Sequence, residues 1–144
     1  MRTPALLLWS VTSLGGCTVL DGASSTTTAV PMEHPLTNIA GDPDRGREVL
    51  LGRDGNCLLC HAVPETGARF MGNLGPPLSG IASRMSAGEI RLRLVDSRRV
   101  NAQTIMPSYY STDGLVHVAA AYRGKTVLTA QQIEDTIAYL QTLR

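Results

Sequence analysis

The chain has 144 residues, 43% apolar and 17% charged, with 13 basic against 12 acidic side chains and a formal net charge of +1. That is the profile of an ordinary globular protein with room for one domain, and it argues against a nucleic-acid binder driven by net charge. Aromatic side chains are scarce, with one Trp, four Tyr and one Phe, and so little ring volume invites a non-protein group at the centre of the core.

At the amino end, Arg2 precedes the mostly apolar run from Ala5 to Leu14, too short to span a bilayer as a helix but suited to a secretory signal. The run closes on Leu14-Gly15-Gly16-Cys17, which is similar to the bacterial lipoprotein signal, where lipid is attached to the cysteine after cleavage before it. Residues 1–16 are therefore read as a lipoprotein-type signal peptide, and the mature protein as periplasmic, tethered to a bacterial membrane through Cys17. The alternative is ordinary cleavage near Gly22-Ala23, with Cys17 discarded. Residues 17–39, rich in Ser, Thr, Ala and Pro and without helical or strand periodicity, read as a flexible tether. Residues 40–144 read as one compact domain.

Asp42-Pro43-Asp44 offers an N-cap, a proline at the first helical position and an acid in the first turn, with Val49, Leu50 and Leu51 as an apolar end. This is the first helix, stopping before Gly52. Next comes Asn56-Cys57-Leu58-Leu59-Cys60-His61, the C-x-x-C-H pattern of covalent haem attachment. On a helical turn, two sulfurs three residues apart can meet the two vinyl groups of one porphyrin edge, and His61 then turns beneath the iron. The other readings are a redox thiol pair or half of a zinc site. No second C-x-x-C or paired histidine completes a zinc shell, since His34 lies in the tether and His117 stands alone. No βαβ pattern surrounds the cysteines as a thioredoxin fold would need. With Cys17 at the processing site and Cys57 and Cys60 consumed together, the odd cysteine count is explained, and the domain keeps no spare thiol.

Ser86-Ala87-Gly88-Glu89 forms a capping box leading into Ile90, Leu94 and Val95, a second helix that ends near Asp96 to Arg99. Thr129-Ala130-Gln131-Gln132 forms another, and Ile133, Ile137 and Leu140 follow on one face of the last helix. That face needs a partner, and the first helix, where Gly46 permits close approach, is the expected one. This crossing resembles the arrangement in class I cytochromes c. No segment reads as a strand, so the expected class is all-α: a cytochrome c-like helical domain around one covalently attached haem c.

An electron carrier usually closes the sixth iron position with a protein ligand, and methionine there raises the reduction potential. Met71 lies too close to His61 in sequence to reach around the porphyrin, and Met85 sits at the start of the second helix. Met106 lies in Ile105-Met106-Pro107-Ser108-Tyr109-Tyr110, where the proline stiffens a loop; it is the expected ligand, with His117 as the alternative. A haem histidine also needs its other ring nitrogen held. In Gly75-Pro76-Pro77-Leu78 the backbone carbonyl of Pro76 is the candidate acceptor. Arg84, Arg91, Arg93, Arg98 and Arg99 cluster, which reads either as a docking patch for an acidic partner or as solvated faces and helix caps. Tyr109 and Tyr110 read as pocket wall or partner contact.

Cys57-Leu58-Leu59-Cys60-His61, the stretch from Gly72 to Gly80 and Thr104-Ile105-Met106-Pro107-Ser108-Tyr109-Tyr110 together resemble SoxX, the small monohaem subunit of the sulfur-oxidising SoxAX cytochromes, over roughly residues 40–144. The lipoprotein-like leader and a short insert after the haem motif depart from that pattern. The resemblance implies that Cys57 and Cys60 carry the haem and that His61 and Met106 are its axial ligands. It further implies a heterodimer with a SoxA-like cytochrome whose haem site carries an active cysteine. That complex oxidatively joins thiosulfate to a cysteine of a SoxYZ-type carrier, giving a cysteine S-thiosulfonate, while electrons leave through a downstream acceptor. A rival reading of the same domain is a free-standing, membrane-tethered cytochrome that ferries electrons between respiratory complexes. A haem-based gas sensor would need an open iron position and a signalling module, and no such module is visible.

Overall fold

The structure, a computed structural model, describes residues 29–144. The expected signal peptide, Cys17 and the first part of the expected tether lie outside the described residues. Four α-helices follow in order: α1 (Pro43–Leu51), α2 (Ile81–Arg84), α3 (Ala87–Asp96) and α4 (Ala130–Leu140). Short 3-10 turns lie at Cys57–Leu59, Pro64–Thr66, Ser97–Arg99 and Ala120–Tyr122, and no strand occurs among the described residues.

The helix ends follow from their caps. Asp42 accepts from the amides of Asp44 at 2.9 Å and Arg45 at 3.0 Å, so two of the donors that a helix start leaves unpaired are satisfied. Such a cap contributes about 1 kcal/mol. At α3 the Ser86 hydroxyl accepts from the Glu89 amide while the Glu89 carboxylate takes the Ser86 amide, and Thr129 and Gln132 repeat the exchange at α4. The short α2 was not expected. Four residues make barely one turn, too few to show a hydrophobic period.

Helices α1 and α4 cross at contact distance. A Cβ built at Gly46 would fall on the backbone carbonyl of Asp135, so only glycine allows the approach. The crossing is also polar: Arg45 forks onto Asp135 at 2.8 and 2.9 Å, and the Asp42 amide donates to the same carboxylate at 2.8 Å. Leu50, Ile133, Ile137, Leu140 and Leu143 form the core beneath, joined by Ile90 and Leu94 of α3.

The tether ends sooner than its composition suggests. The Met32 amide donates to Gly88 O at 3.1 Å, the Leu36 amide to Glu134 Oε1 at 2.9 Å, and the Thr37 hydroxyl to Gln131 Oε1 at 2.8 Å. Arg91 lies at the centre of this strap, donating to Met32 O and pairing with Glu134 at 2.7 and 2.8 Å, with both side chains buried. A buried pair is tolerated when its hydrogen bonds are complete, as here. Burial works to raise the Glu134 carboxyl, but Arg91 and the Leu36 amide outweigh it and hold the group below its usual range. Asp135 is lowered in the same way, with Arg45 and the Asp42 amide opposing its burial.

Candidate haem site

The Cys57–Leu59 turn starts from Asn56 in the left-handed region (φ 45°), and the Cys60 and His61 amides both donate back to Cys57 O, at 3.1 and 2.9 Å. This winding carries two thiols and an imidazole onto one cavity. Burial pushes the Cys57 thiol up to about 11. A reactive redox thiol is shifted the other way. Among the described residues no group of three His, Cys, Asp or Glu side chains could hold a metal ion, so the half-zinc-site reading finds no partner there.

His61 Nδ1 lies 2.7 Å from Pro76 O. A carbonyl can only accept, so Nδ1 carries the proton and Nε2 keeps its lone pair. Gly75 lies flat against the ring: its amide donates to Cys60 O at 2.8 Å, and a Cβ there would collide with the imidazole. The sequence marks Gly75-Pro76 as a turn, but that the glycine makes room for a ring is visible only in three dimensions.

The cavity measures about 280 Å³ and is walled by Leu50, Leu78, Ile81, Ile90, Leu94 and Leu140. Cys57, Cys60, His61 and Pro76 line it from one stretch of chain, Met106 and Pro107 from another. Met85, set aside on position alone, also lines it. Met71 does not line this cavity, and its sulfur accepts from the Val63 amide at 3.1 Å. His117 is exposed, at φ 58°, beside a separate surface recess. An aliphatic cavity of this kind, with paired thiols, an imidazole nitrogen carrying a lone pair and a thioether, has the donor set that haem c requires.

Three further residues lie on or near this wall: Tyr109, which the sequence reads as pocket wall or partner contact, and Ser97 and Arg93, which it does not read as parts of the site. Tyr109 is buried, lines the cavity and donates through its hydroxyl to Gly55 O at 2.8 Å, bracing the turn before Cys57; burial raises its phenol above the usual range. Ser97 donates to Met106 O at 2.6 Å. Arg93, with NH1 on Glu89 O at 3.0 Å, is the only Arg, Lys, Asp or Glu among the residues lining the cavity. The arginine cluster is not one patch. Arg91 is buried on Glu134, Arg98 forks onto Asp96, Arg84 is exposed but ties the Pro77 and Ser79 carbonyls, and Arg99 is exposed, near the Met32 sulfur.

The cytochrome c family model matches residues 44–144. No curated protein matches the chain. Among solved structures, a chain of SoxXA from P. pantotrophus is similar, with 32% sequence identity and a TM-score of 0.72, over 78% of this chain and 89% of that one. With the motif, the cavity and these likenesses in agreement, the chain belongs to the cytochrome c family, as a SoxX-like electron-transfer cytochrome with covalently bound haem c.

Proposed function

We propose that this chain is the small haem subunit of a thiosulfate-oxidising complex, paired with a SoxA-like cytochrome. The observation that carries the reading is the likeness to SoxXA over nearly the whole of that chain. The chemistry assigned to the complex is the joining of thiosulfate to a carrier cysteine: R–SH + S2O3²⁻ → R–S–S–SO3⁻ + H⁺ + 2e⁻. The carrier is of the SoxYZ type, the new bond is S–S, and the two electrons pass to an acceptor downstream.

In this reading Cys57 and Cys60 would hold the porphyrin as thioethers, His61 Nε2 and the Met106 sulfur would ligate its iron, and the Pro76 carbonyl fixes the imidazole's orientation and tautomer. Haem c, when bound, supplies one-electron exchange at its iron. The aliphatic walls would give the group an apolar surround, and Arg93, the one cationic side chain lining the cavity, would be available to pair with a haem carboxylate. Cys57 and Cys60 are the cysteines of the described residues, so once both are bonded to porphyrin no thiol there can take up sulfur. The sulfur chemistry then falls to the partner. The chain is proposed to be exported to the periplasm and anchored to a membrane through Cys17.

The test is purification of the native holoprotein with its neighbours, followed by addition of thiosulfate and carrier. A stable pair with a second cytochrome and haem reduction that depends on thiosulfate supports the reading. A monomer indifferent to thiosulfate, with the SoxA-like cytochrome and the carrier present, overturns it in favour of a free-standing respiratory shuttle.

A further inference from the structure

Methionine carries its sulfur on a side chain with three rotatable bonds, so the backbone from which it hangs decides where the sulfur can be presented. At Met106 that backbone is held from both sides. Its amide donates to Thr104 Oγ1 at 3.1 Å and its carbonyl accepts from Ser97 Oγ at 2.6 Å. Pro107 follows, with its φ locked and no amide hydrogen to offer. Further on, Ser108 Oγ donates to Asp96 Oδ1 at 2.7 Å, and the Tyr109 and Ser111 amides cap Leu94 O and Val95 O, each at 2.9 Å. Carbonyls in the last turn of a helix lack partners within it, and the ligand loop supplies them. The loop is thereby sewn to the end of α3. The two amide bonds would form with almost any side chain at those positions. The fastening of Met106 itself requires a hydroxyl, and Ser97 is 3% exposed, so water cannot easily replace it.

We propose that Ser97 is a positioning residue for the Met106 thioether. Its buried hydroxyl holds the Met106 peptide so that the sulfur keeps its place against competing ligands. Ser97 acts only through that peptide bond. The inference rests on the reading of Met106 as axial ligand.

The experiment titrates oxidised holoprotein with imidazole, an external competitor for the methionine's position, and follows the methionine-to-iron charge-transfer absorbance. Ser97→Ala is expected to bind imidazole about tenfold more tightly than wild type, the factor that one buried hydrogen bond supplies. Ser97→Thr, which keeps the hydroxyl, should restore the wild-type titration. Thr104→Val, which cuts the bond on the amide side, should move in the same direction as Ser97→Ala. Ile133→Val, a core truncation that does not line the cavity, should lower the urea midpoint and leave imidazole affinity unchanged; an equal rise in affinity there would reduce Ser97 to a structural role and overturn the proposal. A folded Ser97→Ala that titrates like wild type also overturns it, leaving the ligand reading intact. If Ser97→Ala yields no holoprotein, Thr104→Val decides by the same titration. Absence of the charge-transfer band in wild type, or its survival in Met106→Ala, overturns the ligand reading and this inference together.

Discussion

Gly75→Ala is a local test of how the imidazole is seated. The new Cβ would stand 2.6 Å from His61 Nδ1 and 2.8 Å from Nε2, whereas uncrowded contacts begin near 3.4 Å. The nearest ring atom, Cε1, is closer still, so relief requires the ring to move by more than about 0.8 Å, which draws Nδ1 away from Pro76 O, now at 2.7 Å. Overpacking of this kind costs about 1–3 kcal/mol, and the lost hydrogen bond adds roughly 1 kcal/mol. The sum, roughly 2–4 kcal/mol, corresponds to a fall in Tm of about 10–25 °C for a domain of this size. Thermal unfolding of the holoprotein by far-UV circular dichroism, with the visible spectrum recorded beside it, measures both the loss and any change at the iron. Gly67→Ala is the control: Gly67 has φ 72° but nothing within 4 Å of its Cβ direction, so it carries backbone strain of about 1 kcal/mol and no ring clash. A Gly75→Ala protein that melts like the control with an unaltered visible spectrum would refute the argument.

Three other outcomes are expected. Glu134 and Asp135 are held below their ordinary values, so their contribution is complete above the unfolded pKa values near 4 and is lost as pH falls through the lower folded ones. Urea midpoints should therefore drop below about pH 4, and Glu134→Gln should be weaker at neutral pH by about 3–5 kcal/mol, because Arg91 stays buried without its partner, but flatter on acidification. Arg93→Gln should alter the pH dependence of the reduction potential while Arg93→Lys largely preserves it; identical profiles for all three proteins would remove Arg93 from the haem site. Cys17→Ser should move the protein from the membrane to the soluble fraction, and a wild type already soluble after fractionation would rule out the lipid anchor.

Helices α1, α3 and α4 could be read from the chain because their signals are local: a capping residue, its partner three positions on and an apolar face. Gly46 even indicated which two helices cross. Arg91 shows where such reading stops. In sequence it is one of a cluster of five arginines between Arg84 and Arg99, and only the fold brings Glu134 and the Met32 carbonyl to it. The end of the tether was lost for the same reason, since Met32, Leu36 and Thr37 find their partners on α3 and α4. At the site, the haem motif is contiguous and announces itself. Pro76 and Met106 were chosen by chemical need, and the structure lines one cavity with them and the motif. Ser97 carried no signal and Gly75 only that of a turn, because a serine beyond a helix and a glycine before a proline do not show what they touch until their neighbours are known.

The strap at the amino end also determines how the domain bears a mechanical load. Tension entering from residue 29 is met first by the fastenings at Met32, Leu36 and Thr37, which pass it to Gly88 and Arg91 on α3 and to Gln131 and Glu134 on α4. The Cys57–His61 turn shares none of these bonds. A pull applied at that end would strain two helices through a buried ion pair before it disturbed the seat of the imidazole.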